Sequence, residues 1–517
     1  MKRFWLVMLS LGLVLAFSAS AMAVDVKFSG SFYAAGMYLD KTNLNSNNAR
    51  MTGANNTFTT LNAAYDRAAG NSTAFYYQRL RVGTDFIVSP GLKLVTRFDA
   101  MERIWGGNRS AAFAGGYCGA GATSASGCDD SSAGTRAESE NIAFDQAYIE
   151  YISPIGLFRV GYQPASAWGT VFGDSALNDR SSAKIVYGVP IGPITIGASM
   201  EKTQDNSYSY LSSAPQTDLD YEKYSLAGEY KANNIAAGLA FEFRRIANSK
   251  AAVSNAPTYV VPGTEVVANA KYLGYTYALN PYVISKFGPV TVQGEFTYAW
   301  GSGKIEGDDV KSGVWSDIAI ANYSAYLNVT ADFKKFYAGA TFAYVSGDDP
   351  GTTDKIEGGL VKGGKDFNPT LILFNFDRSY WVGPMTGYYG GTNNAAYASW
   401  PTQTEADSQM RNVWFFQGNV GARPLAALDI NVALSYANAD KKPSGDTGTN
   451  HPELGSQVQK NSYGWELDVT GTYKLTNNLS YMLGAGYLWT GDYFKGTAGD
   501  NAVNNNYLLI NKLTLTF

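Results

Sequence analysis

Connections in this chain alternate in length, and that rhythm constrains the fold more than any single segment does. Tight turns rich in Gly, Pro and Asn fall at 89–91, 153–156, 189–192, 231–234, 287–289, 333–335, 423–427 and 475–478. Between them run long polar segments at 40–73, 106–139, 164–180, 248–269, 349–410 and 441–459. A soluble sandwich has no reason to keep such an alternation. A closed membrane barrel does, because short turns collect at one rim and long loops at the other.

The stretches between these connections have a period of two. In VTVQGEFTYAW (290–300), Val290, Val292, Gly294, Phe296, Tyr298 and Trp300 share one face, and Thr291, Gln293, Glu295 and Thr297 share the other. LDINVALSYA (428–437) and WELDVTGTYK (465–474) repeat the pattern. Composition fits strands and glycine-bearing turns, with 36 Tyr, 26 Phe, 10 Trp and 55 Gly against 16% charged residues.

The expectation is an all-β fold, a transmembrane antiparallel up-and-down β-barrel of about 18 strands, within a range of 16 to 20. Short turns would be periplasmic and long loops extracellular. The strands are expected at 24–39, 74–88, 92–105, 141–152, 157–163, 181–189, 193–203, 221–232, 233–247, 270–286, 289–302, 318–332, 336–348, 411–423, 427–440, 460–475, 478–492 and 506–517. TLILFNFDRSYW (370–381) is left in a loop, although it could be a strand. Whether 349–410 plugs the lumen is open at this level.

The chain opens with Lys2 and Arg3, an apolar run and AMA at 21–23, which reads as a signal peptide over 1–23 cleaved after Ala23. The barrel would occupy 24–517, and no other stretch approaches the roughly 20 apolar residues of a spanning helix. Without Lys2 and Arg3 the balance is 38 basic against 44 acidic residues, a net charge of −6 with no basic arm for nucleic acid. The only cysteines, Cys118 and Cys128, flank a glycine-rich stretch, and in an oxidising compartment they are expected to form a loop disulfide.

Strand parity assigns the lumen wall. Arg79, Arg81, Lys93, Arg97, Arg103 and Arg159 are expected to face inward as a basic wall. Asp99, Glu201, Glu229, Glu242, Glu295, Glu466 and Asp468 are expected to supply acidic lining elsewhere. An Arg at mid-depth in lipid would cost roughly 2–4 kcal/mol, so energetics favour the same parity. Opposed charges would orient solutes and tune ion selectivity, although they could equally pair with one another. Segment 164–180 carries Trp168, Phe172 and Asp174, and is expected either to enter the barrel mouth as a constriction or to pack on the rim.

Several signals fall away. GLVKGGKD (359–366) matches a phosphate-binding loop except that Asp366 replaces Ser or Thr, and it opens no helix. SGDDPGTTD (346–354) lacks EF-hand spacing. His451 is the only histidine, thin support for catalysis, so no enzyme, metal or cofactor is expected.

The final strand, LLINKLTLTF, places Leu509, Asn511, Leu513, Leu515 and Phe517 on one face and resembles the terminal signal of outer-membrane barrels. FDQAYIEY, a short turn and FRVGYQPASAWG resemble the bacterial porins of Gram-negative outer membranes, with Tyr162 where arginine is usual. VSGDDPG followed by KDFNP resembles a loop of the alginate-export-like porins. What the resemblance implies is a passive diffusion channel for ions and small polar, including anionic, solutes in the bacterial outer membrane. The alternatives are a conduit for one substrate, such as an acidic polysaccharide, or a scaffold around a periplasmic partner such as a cytochrome. Membrane lipid is the implied surrounding, and a homotrimer is left open.

Overall fold

A computed structural model describes residues 24–41, 44, 72–105, 142–165, 167–177, 181–204, 220–248, 271–306, 317–349, 352, 355–382, 385–387, 390–391, 409–442, 460–495 and 502–517. The expected signal peptide, Cys118, Cys128 and His451 lie outside the described residues.

Eighteen long strands form the wall: β1 Asp25–Leu39, β2 Thr73–Ser89, β3 Leu92–Ile104, β4 Ile142–Ser153, β5 Gly156–Gln163, β6 Ser182–Ile191, β7 Ile194–Gln204, β8 Tyr221–Ala232 and β9 Ile235–Asn248; then β10 Lys271–Phe287, β11 Val290–Glu306, β12 Ile318–Asp332, β13 Phe336–Val345, β14 Val413–Leu425, β15 Leu428–Asn438, β16 Ser462–Lys474, β17 Leu479–Thr490 and β18 Asn506–Thr516. Each pairs antiparallel with its sequence neighbour, and β1 closes on β18 through Tyr33 opposite Thr514 and Leu39 opposite Leu508. The barrel therefore has no free sheet edge, the condition for strands to cross a bilayer.

The outward face is predominantly apolar. Phe296, Leu327, Leu434, Leu483 and Leu509 are all exposed on it, a surface that water would penalise and lipid would not. Near one rim the outward rings stack laterally. Tyr298 lies 5.0 Å from Trp300 and 4.8 Å from Tyr323, and Phe243 lies 5.3 Å from Tyr277. Such rings suit the lipid–water boundary, where their apolar bodies and polar tips are both accommodated.

Among the register breaks of the described strands, two change which residues face the lumen near the basic cluster. In β4, Arg97 pairs with Gln146 while Phe98 pairs with Phe144, which leaves Asp145 as the extra residue. In β3, Gln78 pairs with Arg103 but Leu80 with Ala100, and Met101 takes φ +54° in the mismatch.

The inward face departs from the expected polar lining over the outer halves of β1, β2 and β14–β18. Tyr33, Met37 and Leu39 of β1, Phe415 of β14, Tyr463 of β16 and Leu508 of β18 point inward and are buried. They pack around Ile372, Phe374 and Trp381 of the segment between β13 and β14. Part of that segment is a short helix, α1 Phe376–Val382, inside the barrel. Asn375 caps it, its Oδ1 accepting from the Arg378 N–H at 2.9 Å. TLILFNFDRSYW is thus neither a wall strand nor an external loop. Its apolar residues are buried because the barrel wall offers them an apolar face.

Candidate transport passage

The loop after β5 enters the lumen and reaches the far wall. Thr170 donates its N–H and its hydroxyl to Glu295 Oε2 on β11, at 2.6 and 2.7 Å. Two glycines let the backbone wrap that carboxylate. Gly169 has φ +86°, and a Cβ there would stand 2.5 Å from Glu295 Oε2; at Gly173 it would stand 2.1 Å from Oε1. Trp168 donates its indole N–H to Asn280 O at 3.0 Å and meets Tyr282 edge-on at 5.2 Å. Phe172, buried, stacks on Tyr326 with centroids 5.1 Å apart. The loop then returns to the opposite wall, where Arg97 donates to Ala176 O at 3.2 Å and Arg81 to Leu177 O. Of the two placements open in the sequence, entry into the lumen is the observed one.

A second segment, 355–382, descends from the β13 side. Lys355–Ile356 adds in parallel to β12, and Asn322 holds Ile356 O at 3.0 Å. Deeper, Glu466 takes the Ile372 and Leu373 N–H groups at 2.6 and 2.9 Å, and Asp468 takes that of Leu371 at 3.3 Å. Asp377 of α1 pairs with Lys512 of β18 at 2.8 Å, and Trp381 packs on Tyr77 at 4.9 Å.

The two insertions meet. Gly364 N–H donates to Phe172 O at 2.5 Å, Lys365 N–H to Ser175 Oγ at 3.0 Å, and Leu177 N–H to Asp366 Oδ2 at 3.0 Å. Phe367 adds an edge contact on Phe172 at 5.3 Å. The result is a two-loop bridge across the lumen, pinned to the wall chiefly by Glu295 and Glu466.

Charged side chains on the wall are interleaved, not segregated into one basic and one acidic wall. Arg81 forks onto Asp99 at 2.6 Å and reaches Asp145 at 3.2 Å, and Arg97 also meets Asp145 at 3.3 Å. Lys93 joins Asp85 at 2.8 Å and Glu150 at 3.3 Å; Arg159 joins Glu150 at 2.7 Å. Further round, strand register sets Lys184, Glu201, Lys223 and Arg244 side by side on β6 to β9. Lys223 bonds Glu201 at 2.9 Å, and Arg244 bonds Glu242 at 2.7 Å. Glu229 accepts from the Tyr282 hydroxyl and pairs with Lys231 at 2.6 Å. Opposite charges thus neutralise each other both across strands, as at Lys223–Glu201, and along one strand, as at Arg244–Glu242.

The pairs are not symmetric towards the lumen. Arg159 is 41% exposed and its partner Glu150 12%; Arg244 is 41% exposed and Glu242 20%. At Arg97–Asp145 and Lys93–Asp85 the carboxylate is instead the more exposed partner, at 26% against 12% and 34% against 30%.

Other expected lining residues have specific roles. Arg79 pairs with Glu102 at 3.5 Å and covers the Tyr33 ring at 5.2 Å. Glu466 and Asp468 point inward, but what they meet is the backbone of the inserted segment and not open water. Arg103 is a correction. The bulge at Met101 sets it opposite Gln78, on the face of Tyr76 and Trp105, whose rings stack at 5.3 Å outside the barrel. Tyr162 also faces outward. Asp174 lies in the bridge, where burial raises its carboxyl above the usual range. Sequence reasoning missed Asp145, Glu150 and Lys184. FDQAYIEY gives Glu150 by parity, but nothing in it marks the bulge at Asp145.

Fold and lumen together define an outer-membrane-type β-barrel of the porin architecture, narrowed by inward loops. No protein-family model and no curated protein matches the chain. Among solved structures it is similar to OccD3 (OpdP) of Pseudomonas aeruginosa, at 11% identity and TM-score 0.44 over 96% of this chain and 94% of that one. It is similar to OccK11 (OpdR) of the same organism at 9% and 0.43, covering 95% and 96%. It is similar to the outer membrane channel DcaP of Acinetobacter baumannii at 12% and 0.38, covering 96% and 99%. These likenesses are too remote to add to what the barrel itself shows.

Proposed function

We propose that this protein is an outer-membrane channel passing ions and small polar solutes by diffusion, with a preference for anions. The preference rests on one observation: at the wall pairs Arg159–Glu150 and Arg244–Glu242, the cation is the wetted member. A fixed positive potential along a narrow aqueous passage concentrates anions, so selectivity follows local exposure and not the net charge of the chain. The experiment is reversal potential across a planar bilayer holding the full mature chain, with a KCl gradient. Anion-over-cation permeability supports the reading, and cation selectivity overturns it.

The two-loop bridge favours a second reading, a conduit for one class of substrate. A passage confined between the bridge and the β3–β9 wall admits less than an open barrel does. Current that saturates or is blocked by one anionic solute, and not by others of equal size and charge, would favour this reading.

A further inference from the structure

We infer that the rim carrying the short turns holds a site for multivalent anions of the phosphate class, built as a half-ring of lysines from β8 to β16. The inference rests on the channel reading and adds to it a site apart from the bridge. Five consecutive turns, 232–235, 287–290, 332–336, 425–428 and 474–479, carry or adjoin Lys231, Lys286, Lys334, Lys335, Arg423 and Lys474. The other three, at 89–92, 153–156 and 191–194, hold no charged residue. Parity turns Lys231, Lys286 and Lys474 to the lumen side, since Tyr230, Phe287 and Tyr473 beside them are exposed outward rings. Backbone bonds lace the turns together. Lys286 N–H donates to Asn234 O at 2.8 Å, Asp332 N–H to Pro289 O at 2.9 Å, Arg423 N–H to Lys335 O at 2.7 Å and Lys474 N–H to Ala427 O at 2.8 Å. Lys334 takes φ +71°, and Asp332 Oδ1 holds it there by accepting its N–H at 2.8 Å. The cations are thus fixed in order round one arc of the mouth.

Three side-chain carboxylates accompany them. Glu229 pairs with Lys231, which is 65% exposed against 23% for its partner. Asp332 and Asp429 both take Arg423, at 2.9 and 2.8 Å, and both are more exposed than it is. Arg423 is therefore neutralised, and the excess charge belongs to the lysines. Lys286, Lys334, Lys335 and Lys474 are all exposed, and no ion pair ties any of them among the described residues. An ammonium on a flexible stem is a point charge that suits a phosphate oxygen without demanding one geometry. One such group attracts weakly in water. Several uncompensated ones round a concave mouth sum to a potential, and an anion feels it in proportion to its own charge. Lipid headgroups offer the same phosphate chemistry, but the lumen-side parity of three of the lysines favours dissolved anions.

The test is single-channel current through the full mature chain in a neutral phosphatidylcholine bilayer, with inorganic triphosphate added to one chamber at a time. The expected result is block from one chamber at a concentration at least tenfold lower than from the other, weakening as salt is raised. Replacing Lys286, Lys334, Lys335 and Lys474 together by Gln should raise that lower concentration at least tenfold and leave block from the other side unchanged. All four side chains are exposed, and retained heat-modifiable migration shows that the variant barrel is folded. Repeating the measurement with phosphatidylglycerol in the bilayer separates the two phosphate sources. Loss of the block assigns the lysines to lipid headgroups, and persistence assigns them to dissolved anions. Equal block from both chambers overturns the inference, as does one-sided block that survives in the four-lysine variant. Either result comes from a conducting pore and leaves the channel reading intact. A folded wild-type barrel that passes no current would instead overturn that reading.

Discussion

Thr170 gives both its backbone N–H and its hydroxyl to one oxygen of Glu295, 125 positions along the chain and on the opposite side of the lumen. That pair decides where the β5–β6 loop lies. Replacing Glu295 with Ala leaves a buried N–H and hydroxyl unpaired, a loss of about 3 kcal/mol of anchoring. The loop-released population should rise by about two orders of magnitude, since each 1.4 kcal/mol is tenfold. Spin-label distances from the loop tip to β11 check this; an unbroadened distribution in Glu295→Ala would contradict it.

Gly169 should not accept a side chain. Its φ is +86°, and a Cβ would collide with the Glu295 carboxylate. Gly169→Ala should reproduce the released loop of Glu295→Ala, and the double variant should be little worse than either single one because both act on the same contact.

Glu466 holds the other insertion by two successive N–H groups. Glu466→Ala should cost roughly 2–4 kcal/mol of docking while leaving the wall strands paired. Limited proteolysis should then cut within 370–382 at least tenfold faster, with heat-modifiable migration unchanged. Equal protection in the variant would show that the apolar contacts of Ile372 and Trp381 suffice.

Asp348 confers a pH dependence on the same segment. Burial is the chief cause that raises its carboxyl to about 6, although it accepts the Glu357 N–H at 2.8 Å, and nearby Glu357 and Asp349 push the same way. The folded value lies above the ordinary one, so this group's contribution to docking is full below about pH 4 and is lost as pH rises through 6. Asp377 acts in the opposite sense at lower pH. Burial pushes its carboxyl up, but Lys512 and Arg79 outweigh it and hold it below the usual range, so its contribution is lost only in stronger acid. Open-channel noise should therefore increase between pH 5 and pH 7.5, and Asp348→Asn should flatten the change.

Much of this was legible in the sequence, because a barrel wall has one simple period. Strands 182–191 and 271–287 formed where period and turns placed them, within one or two residues. Parity also put Glu295 on the inward face, while for the loop carrying Trp168 and Phe172 entry into the barrel mouth was one of two open placements. It failed at Arg103 because one residue at Met101, with no glycine to announce it, reversed the faces. It was uninformative for VWFF at 413–416, where Val413 and Phe415 are buried against an insertion and Trp414 and Phe416 face lipid. An apolar interior partner distant in sequence erases the polar signal that marks a wet wall. The pairing of Arg97 with Asp145 depends on a bulge and on strand register, neither of which composition records.

In the proposed channel, two insertions pinned by Glu295 and Glu466 confine the passage. Single-channel conductance of the wild-type chain and of Glu295→Ala/Glu466→Ala, in the same planar bilayer and salt, tests that confinement most directly. Small, steady steps are expected for the wild type and steps several-fold larger for the double variant, with the anion preference reduced as the passage widens. Equal conductance from two folded barrels would contradict it.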